Sequence, residues 1–417
     1  MIKPLLSSSR LLEYIAGAKL FPTAALHSRF PIVAHSHLSW DNVWQRPQQL
    51  LSRVAQRHAV LFVETHVDET AEEGRYEYGI AAGTREVFQL KIMIPRKVWP
   101  MGDYVDQLRR HLVIKALGEP RLLKFHRPIQ WFYDPMAVIS FSGFLNERLT
   151  VYDCMDQLSQ FKGAPSELDA RESELLRVAD VVFCGGDKLH KAKSRFNSNA
   201  HFYGCGVDME HFSGALDGAT PLPEDVRNLP RPIFGYYGVV DERLDYALIQ
   251  SLAERTTGSV VIIGPTAKVE ESSLPRHRNL HWLGRRPYAE LPAYAKAFDV
   301  CLMPFELNEA TEYINPTKAL EYLAAGRPVV STAIADVVTH FADVVRISRT
   351  SEQFIELCEY EAGSLNPRKQ KAGLRRARAS SWEGIVSEME SHIGTALNRS
   401  DPARANPAYA MHPAEIT

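Results

Sequence analysis

Short apolar runs alternate with segments of helical period along most of the chain. The first run is "FPIVAHSH", Phe30 to His37, and the next is "AVLFVE", Ala59 to Glu64; between them "PQQLLSRVAQR" reads as a helix opening on Pro47. "PIQWFY" and "LTVYDC" read as strands, "ELLRVAD" as a helix, and "VVFCGG" and "AHFYGCGVD" complete a first doubly wound region, 30–212. The polar, proline-bearing stretch that follows predicts a linker over 213–230. The alternation restarts with "PIFGYYG", "RLDYALIQSLAER" and "SVVIIGP", and continues through "NLHWLG", "YAELPAYAKAF", "VCLMPF", a helix from Pro316 to about Ala325, and "PVVST". This is a second β/α region, 231–350. Residues 351–396 read as helices packing back across both regions, 397–417 as a loose tail, and 1–29 as an N-terminal extension. The expected class is therefore α/β, with two Rossmann-like, doubly wound parallel sheets facing a central cleft. In such folds ligands sit beyond the carboxyl ends of the strands, so function belongs in the loops that follow them.

Bulk composition narrows the classes. A chain of 417 residues exceeds one ordinary core, in keeping with two domains. With 48 Lys and Arg against 50 Asp and Glu there is no broad basic surface for nucleic acid. The five cysteines (154, 184, 205, 301 and 358) are scattered, without a Cys-x-x-Cys pair, which fits a reducing compartment and offers no metal framework. No apolar run reaches the ~20 residues of a membrane span, and the expectation is a cytoplasmic protein. Residues 96–128 carry eight Lys and Arg against three Asp and Glu. They read as a solvated helix near 104–117, with contact to anionic lipid at the inner face of the plasma membrane as the alternative.

Four stretches carry candidate chemistry. In "INPTKALEYLAAG", Thr317, Lys318 and Glu321 share one side of a helix start capped by Asn315. Taken alone this is a surface helix with an i, i+3 ion pair; the alternative is a cation for phosphate and a carboxylate for vicinal hydroxyls. In "GYYGVVDERLD", Gly238 permits close backbone approach and Arg243 has the planar fork that suits phosphate, a tight turn with solvated charges being the plain alternative. "AHSHLSWDNVWQRPQ" packs His35, His37, Trp40, Asp41, Asn42 and Arg46 into one strand end and loop. Aromatic faces suit sugar rings and His or Asp can handle a hydroxyl proton, while packed histidines are the ordinary reading. "VYDCMDQLSQF" places Asp153 and Asp156 after a strand, to bind a metal or orient an acceptor hydroxyl, with Asp156 capping the next helix as the plain alternative.

The ordered series "WDNVWQRPQQL", "VYDCMDQLSQFKG", "LLRVADVVFCGGDKL", "GCGVDMEHF", "GYYGVVDERLD", "NLHWLGRRPYAELPAYAKAFDVCLMPF" and "NPTKALEYLAAGRPVVST" resembles the two-domain GT-B glycosyltransferases of the retaining family four. Within that family it is similar to the polysaccharide-biosynthesis branch typified by teichuronic acid glycosyltransferases. The resemblance implies a nucleotide-sugar donor on the second domain and a saccharide or lipid-linked acceptor on the first. It implies Glu321 on the donor ribose, Arg243 and Lys318 on the diphosphate, Asn315, Pro316 and Thr317 at the leaving group, and Gly238 beside the donor. On the other side it leaves His37, Asp41 or Asp153 to orient the acceptor, with His35, Trp40, Asn42 and Arg46 around it. No metal and no cofactor are expected. Tyr313 stands where the family pattern has its first glutamate, and Glu312 is one residue off. A nucleotide-sugar 2-epimerase and a two-lobed sugar-binding protein are the alternatives on this fold.

Overall fold

The computed structural model describes residues 29–161, 163–308, 311, 314, 317–363 and 366–399. They form two compact units, one of residues 29–204 together with 383–399, the other of residues 205–382.

The first unit is built on eight strands: β1 (Pro31–Ser36), β2 (Ala59–Asp68), β3 (Arg75–Ile80), β4 (Val87–Pro95), β5 (Ile129–Phe132), β6 (Leu149–Cys154), β7 (Val181–Cys184) and β8 (Ala200–Phe202). Their order is β3-β4-β2-β1-β5-β6-β7-β8. All pairs are parallel except the β3–β4 hairpin. Central strands such as β6, "LTVYDC", are buried at every position, the mark of a parallel sheet covered on both faces.

The second unit has β9 (Ile233–Tyr237), β10 (Ser259–Ile263), β11 (Leu280–Gly284), β12 (Val300–Met303), β13 (Val329–Thr332) and β14 (Arg346–Ser348), all parallel. The order β11-β10-β9-β12-β13-β14 is that of a doubly wound sheet, 3-2-1-4-5-6. Its direction reverses between β9 and β12, so the loops after these two strands diverge and leave a crevice at the sheet's carboxyl edge.

Two expected boundaries are corrected. Residues 213–230 are not a free linker. Ala215 and Val226, with Phe212 just before them, belong to the core of the second unit, and the Asp225 carboxylate accepts from Arg286 Nη2 at 2.8 Å. The polar and proline-rich composition hides these few anchors. Likewise, of the helices in 351–396, Ser351–Gly363 and Pro367–Ala379 stay with the second unit, burying Phe354, Ile355, Cys358 and Ala377. Only the last helix, Trp382–Arg399, passes to the first unit. There Arg57 Nη2 meets Glu390 at 2.7 Å and His392 stacks on His201 at 3.7 Å. Residues 397–399, expected in the loose tail, continue that helix.

Candidate active site

The crevice of the second unit gathers the donor-side candidates. β9 is a buried strand, and the chain turns sharply at Gly238, whose amide donates to Ile263 O at 2.9 Å. A Cβ at Gly238 would lie 2.4 Å from the Tyr236 hydroxyl and 3.1 Å from Lys318 Cε, so only glycine lets the turn and the Lys318 side chain share this space. Lys318 opens the helix Lys318–Ala324, which follows β12 and buries Ala319, Leu320, Tyr322, Leu323 and Ala324. Glu321 sits on the same helix, 6% exposed. Its Oε2 has no hydrogen-bond partner among the described residues, and neither has the Tyr237 hydroxyl. Burial pushes the Glu321 carboxyl above the usual carboxylate range, opposed by the Lys318 charge and the neighbouring Tyr237 phenol. Burial also raises the Tyr236 phenol, which feels the charges of Arg243, Asp241 and Glu321 around it.

Arg243 lies on the loop between β9 and the helix Tyr246–Arg255. Its Nε donates to Asp241 Oδ1 and Oδ2 at 3.0 and 3.1 Å, and its Nη2 to Oδ2 at 2.7 Å. Gly238, Arg243, Lys318 and Glu321 are thus brought to one edge of one sheet. Thr317 precedes the helix and its carbonyl accepts from the Leu320 and Glu321 amides. Asn315, Pro316, Glu312 and Tyr313 lie outside the described residues. The described helix has seven residues and starts at Lys318, so the anion chemistry here rests on side chains.

On the first unit the structure separates packing from chemistry. His35 is corrected: it is 1% exposed, stacked on Phe132 and Phe141, with Nε2 2.8 Å from Gln130 Oε1. Burial, opposed by the Gln130 hydrogen bond and helped by the Arg109 charge, pulls its pKa down to about 3. It is a neutral core residue. Trp40 is corrected as well. It is buried against Phe62, donating from Nε1 to Ala82 O and from its amide to Glu64. Arg46 is not an exposed acceptor cation either; its Nε donates to Asp153 Oδ1 at 3.0 Å and its Nη1 to the Tyr203 and Gly204 carbonyls. It ties β6 to the point where the chain leaves the unit. Asp153 is fully buried, and burial raises its carboxyl despite the Arg46 charge. Asp41 pairs with Lys91 Nζ at 2.7 Å, and that hydrogen bond lowers its pKa. His37 is exposed past the end of β1, and its Nδ1 lies 3.1 Å from Tyr133 O. A carbonyl can only accept, so Nδ1 is the donor in this bond and Nε2 is the ring nitrogen outside it. Asn42 is exposed in the same loop. Of the first-unit candidates, His37, Asp41 and Asn42 remain on the accessible surface.

Sequence reasoning missed Asp241 and Tyr236. The sign for Asp241 was present, since an aspartate two residues before an arginine at a turn is the spacing of a local side-chain clamp. Among the described residues no group of three His, Cys, Asp or Glu is arranged to hold a metal.

The fold has solved counterparts. It is similar to sucrose-phosphate synthase of Thermosynechococcus elongatus, at 16% identity and TM-score 0.63, over 89% of this chain and 100% of that one. It is also similar to an α,α-trehalose-phosphate synthase (UDP-forming) of Burkholderia xenovorans, at 12% identity and TM-score 0.62, over 88% of this chain and 100% of that one. Residues 234–359, the span that holds Gly238, Arg243, Lys318 and Glu321, match the family described as glycosyl transferases group 1. The chain is a glycosyltransferase of GT-B fold. Along its length it is similar to TuaH of Bacillus subtilis (strain 168), described as a teichuronic acid biosynthesis glycosyltransferase, at 24% identity over 87% of this chain and 96% of that protein.

Proposed function

We propose that this glycosyltransferase takes a sugar from a nucleoside-diphosphate donor held by the second unit. It passes the sugar, with retention, to a hydroxyl of a saccharide or lipid-linked saccharide in cell-surface or exopolysaccharide synthesis. The observation that carries the donor reading is Glu321: a buried carboxylate with an oxygen that has no partner among the described residues, at the crevice where a doubly wound sheet binds its ligand. A hydroxyl of the ribose diol would supply the hydrogen bond that Oε2 lacks among the described residues.

The chemistry follows from the surrounding charges. As the C1–oxygen bond to the diphosphate breaks, charge develops on the leaving phosphate. Arg243 and Lys318 meet that charge without a metal ion. The acceptor oxygen bonds to C1 on the same face, and its proton passes to the departing phosphate oxygen. On the first unit His37, through Nε2, orients the acceptor hydroxyl, with Asp41 and Asn42 beside it in the same loop. The similarity to TuaH supports the cell-surface setting, and peripheral contact of segment 96–128 with the inner membrane face belongs to the same proposal.

The test is thermal unfolding with UDP, GDP, ADP and dTDP and with their common sugar conjugates. One nucleoside diphosphate at about 100 times its Kd adds about 2.7 kcal/mol of stability. Arg243→Ala and Lys318→Ala each remove most of that gain while unfolding normally without ligand. A parent stabilised by none of these compounds, or variants that keep the full gain, would overturn the donor-site assignment.

A further inference from the structure

We infer that Asp241 is a positioning residue of the donor site, setting the guanidinium of Arg243 for the diphosphate; the inference rests on the donor reading given above. The backbone of this loop is held from both sides. Val240 donates to Pro265 O and accepts from Ala267, in the loop after β10. Asp245 donates to Pro304 O, Arg243 O accepts from Glu306, and Leu244 bridges Phe305, in the loop after β12. With the backbone so pinned, the freedom left to Arg243 is in its long side chain.

Asp241 removes that freedom. Its carboxylate takes the Nε–Nη2 edge of the guanidinium and also accepts from the Arg243 amide at 3.0 Å. Asp241 is itself 8% exposed, and its carbonyl accepts from the Tyr246 hydroxyl at 2.8 Å, so the clamp is fixed to the following helix. The guanidinium plane is therefore set before any ligand arrives. A planar fork fixed in this way loses less freedom on binding than one that must be ordered by its ligand.

A carboxylate beside a phosphate site also repels phosphate, and this makes the sign of the test diagnostic. In Asp241→Asn the Oδ1 still accepts from the Arg243 amide, so the turn survives. The amide nitrogen, however, now faces the guanidinium donors. If Asp241 positions Arg243, Asp241→Asn binds the nucleoside diphosphate about tenfold more weakly although a repelling charge is gone. Asp241→Glu recovers part of the loss. In an Arg243→Ala background Asp241→Asn weakens binding no further, because nothing remains to be positioned. The measurement is calorimetric titration with whichever of UDP, GDP, ADP and dTDP stabilises the parent most, together with unfolding of each unliganded variant.

Tighter or unchanged binding in Asp241→Asn overturns the inference, as does an equal loss with and without Arg243. Failure of the donor reading shows separately, as full affinity in Arg243→Ala.

Discussion

A carboxylate that lies under protein with an oxygen unpaired is a cost that folding alone does not explain, and among the described residues Glu321 carries that cost. Its pKa is raised in the folded state by burial, so its favourable contribution is complete only below the unfolded carboxylate value. That contribution is lost as pH rises through the folded pKa, and above it the charged group destabilises the chain. Glu321→Gln should therefore make the unliganded protein more stable by about 1 kcal/mol near neutrality. The advantage should shrink as pH falls toward the carboxylate range, while the nucleotide-dependent gain disappears. Denaturant unfolding at two pH values, with and without the nucleoside diphosphate, reads all three; a variant less stable than the parent at neutral pH would mark Glu321 as a structural group. At this scale the sequence was most legible where residue type is tied to a local turn. Gly238, Arg243, Lys318 and Glu321 do converge. It was least legible on the first unit, where His35 and Trp40 look chemical but are consumed by the aromatic packing of Phe132, Phe141 and Phe62. A histidine written next to a loop does not reveal which side of the strand it faces.

The crevice depends on how closely the carboxyl ends of β9, β10 and β11 approach one another. Gly238 donates to Ile263 O, and Gly264 donates to Gly284 O. A Cβ on Gly264 would fall 1.6 Å from Gly238 O, against backbone that has no room to yield. Gly264→Ala should thus cost at least about 2 kcal/mol and weaken nucleotide binding together. Gly218→Ala, where a Cβ would meet nothing within 4 Å, should do neither. Urea unfolding and nucleotide titration of the two variants check this, and a Gly264→Ala protein of parental stability and affinity would mean that the strand ends are not rigidly stacked. The elements themselves followed from the apolar runs, because parallel strands buried on both faces have no polar positions to blur them. The hairpin of β3 and β4 is not marked in the same way. β3 is exposed or half-buried throughout, and its pairing to β4 is set by long-range register that no local pattern encodes. The stretch 213–230 failed for the opposite reason, since Ala215 and Val226 are too few to show a period yet suffice to anchor it.

For the molecule as a whole the net charge of −2 conceals an uneven surface. Among the described residues, seven of the thirteen exposed large hydrophobics fall within 99–144: Trp99, Met101, Tyr104, Ile114, Leu123, Ile139 and Phe144. The helix Gly102–Leu117 turns Tyr104, Gln107, His111, Ile114 and Lys115 outward at positions one turn apart, and Arg110 lies on the Phe144 ring at 3.3 Å. Arg96 and Lys97 are partly neutralised by Glu69 and Glu72, which leaves Arg110, Lys115, Arg121, Lys124 and Arg127 as the cations of this face without an ion pair among the described residues. Aromatic and sulfur side chains beside lysine and arginine suit the headgroup zone of an anionic bilayer. No helix of the described residues is long and apolar enough to cross a membrane, so such contact would be peripheral. The protein should sediment with vesicles of mixed phosphatidylglycerol and phosphatidylcholine but not with phosphatidylcholine alone, and less so in high salt. Each cation near the surface contributes about 1 kcal/mol, so Lys115→Glu with Arg121→Glu should lower vesicle affinity by at least tenfold. Replacing Trp99, Met101 and Tyr104 by Ala should weaken what remains at high salt. Neither set touches Arg243 or Lys318, so nucleotide-induced stabilisation should be unchanged in both. Equal sedimentation with neutral and anionic vesicles, or anionic binding that survives both sets, would assign the exposed side chains of 99–144 to some other contact.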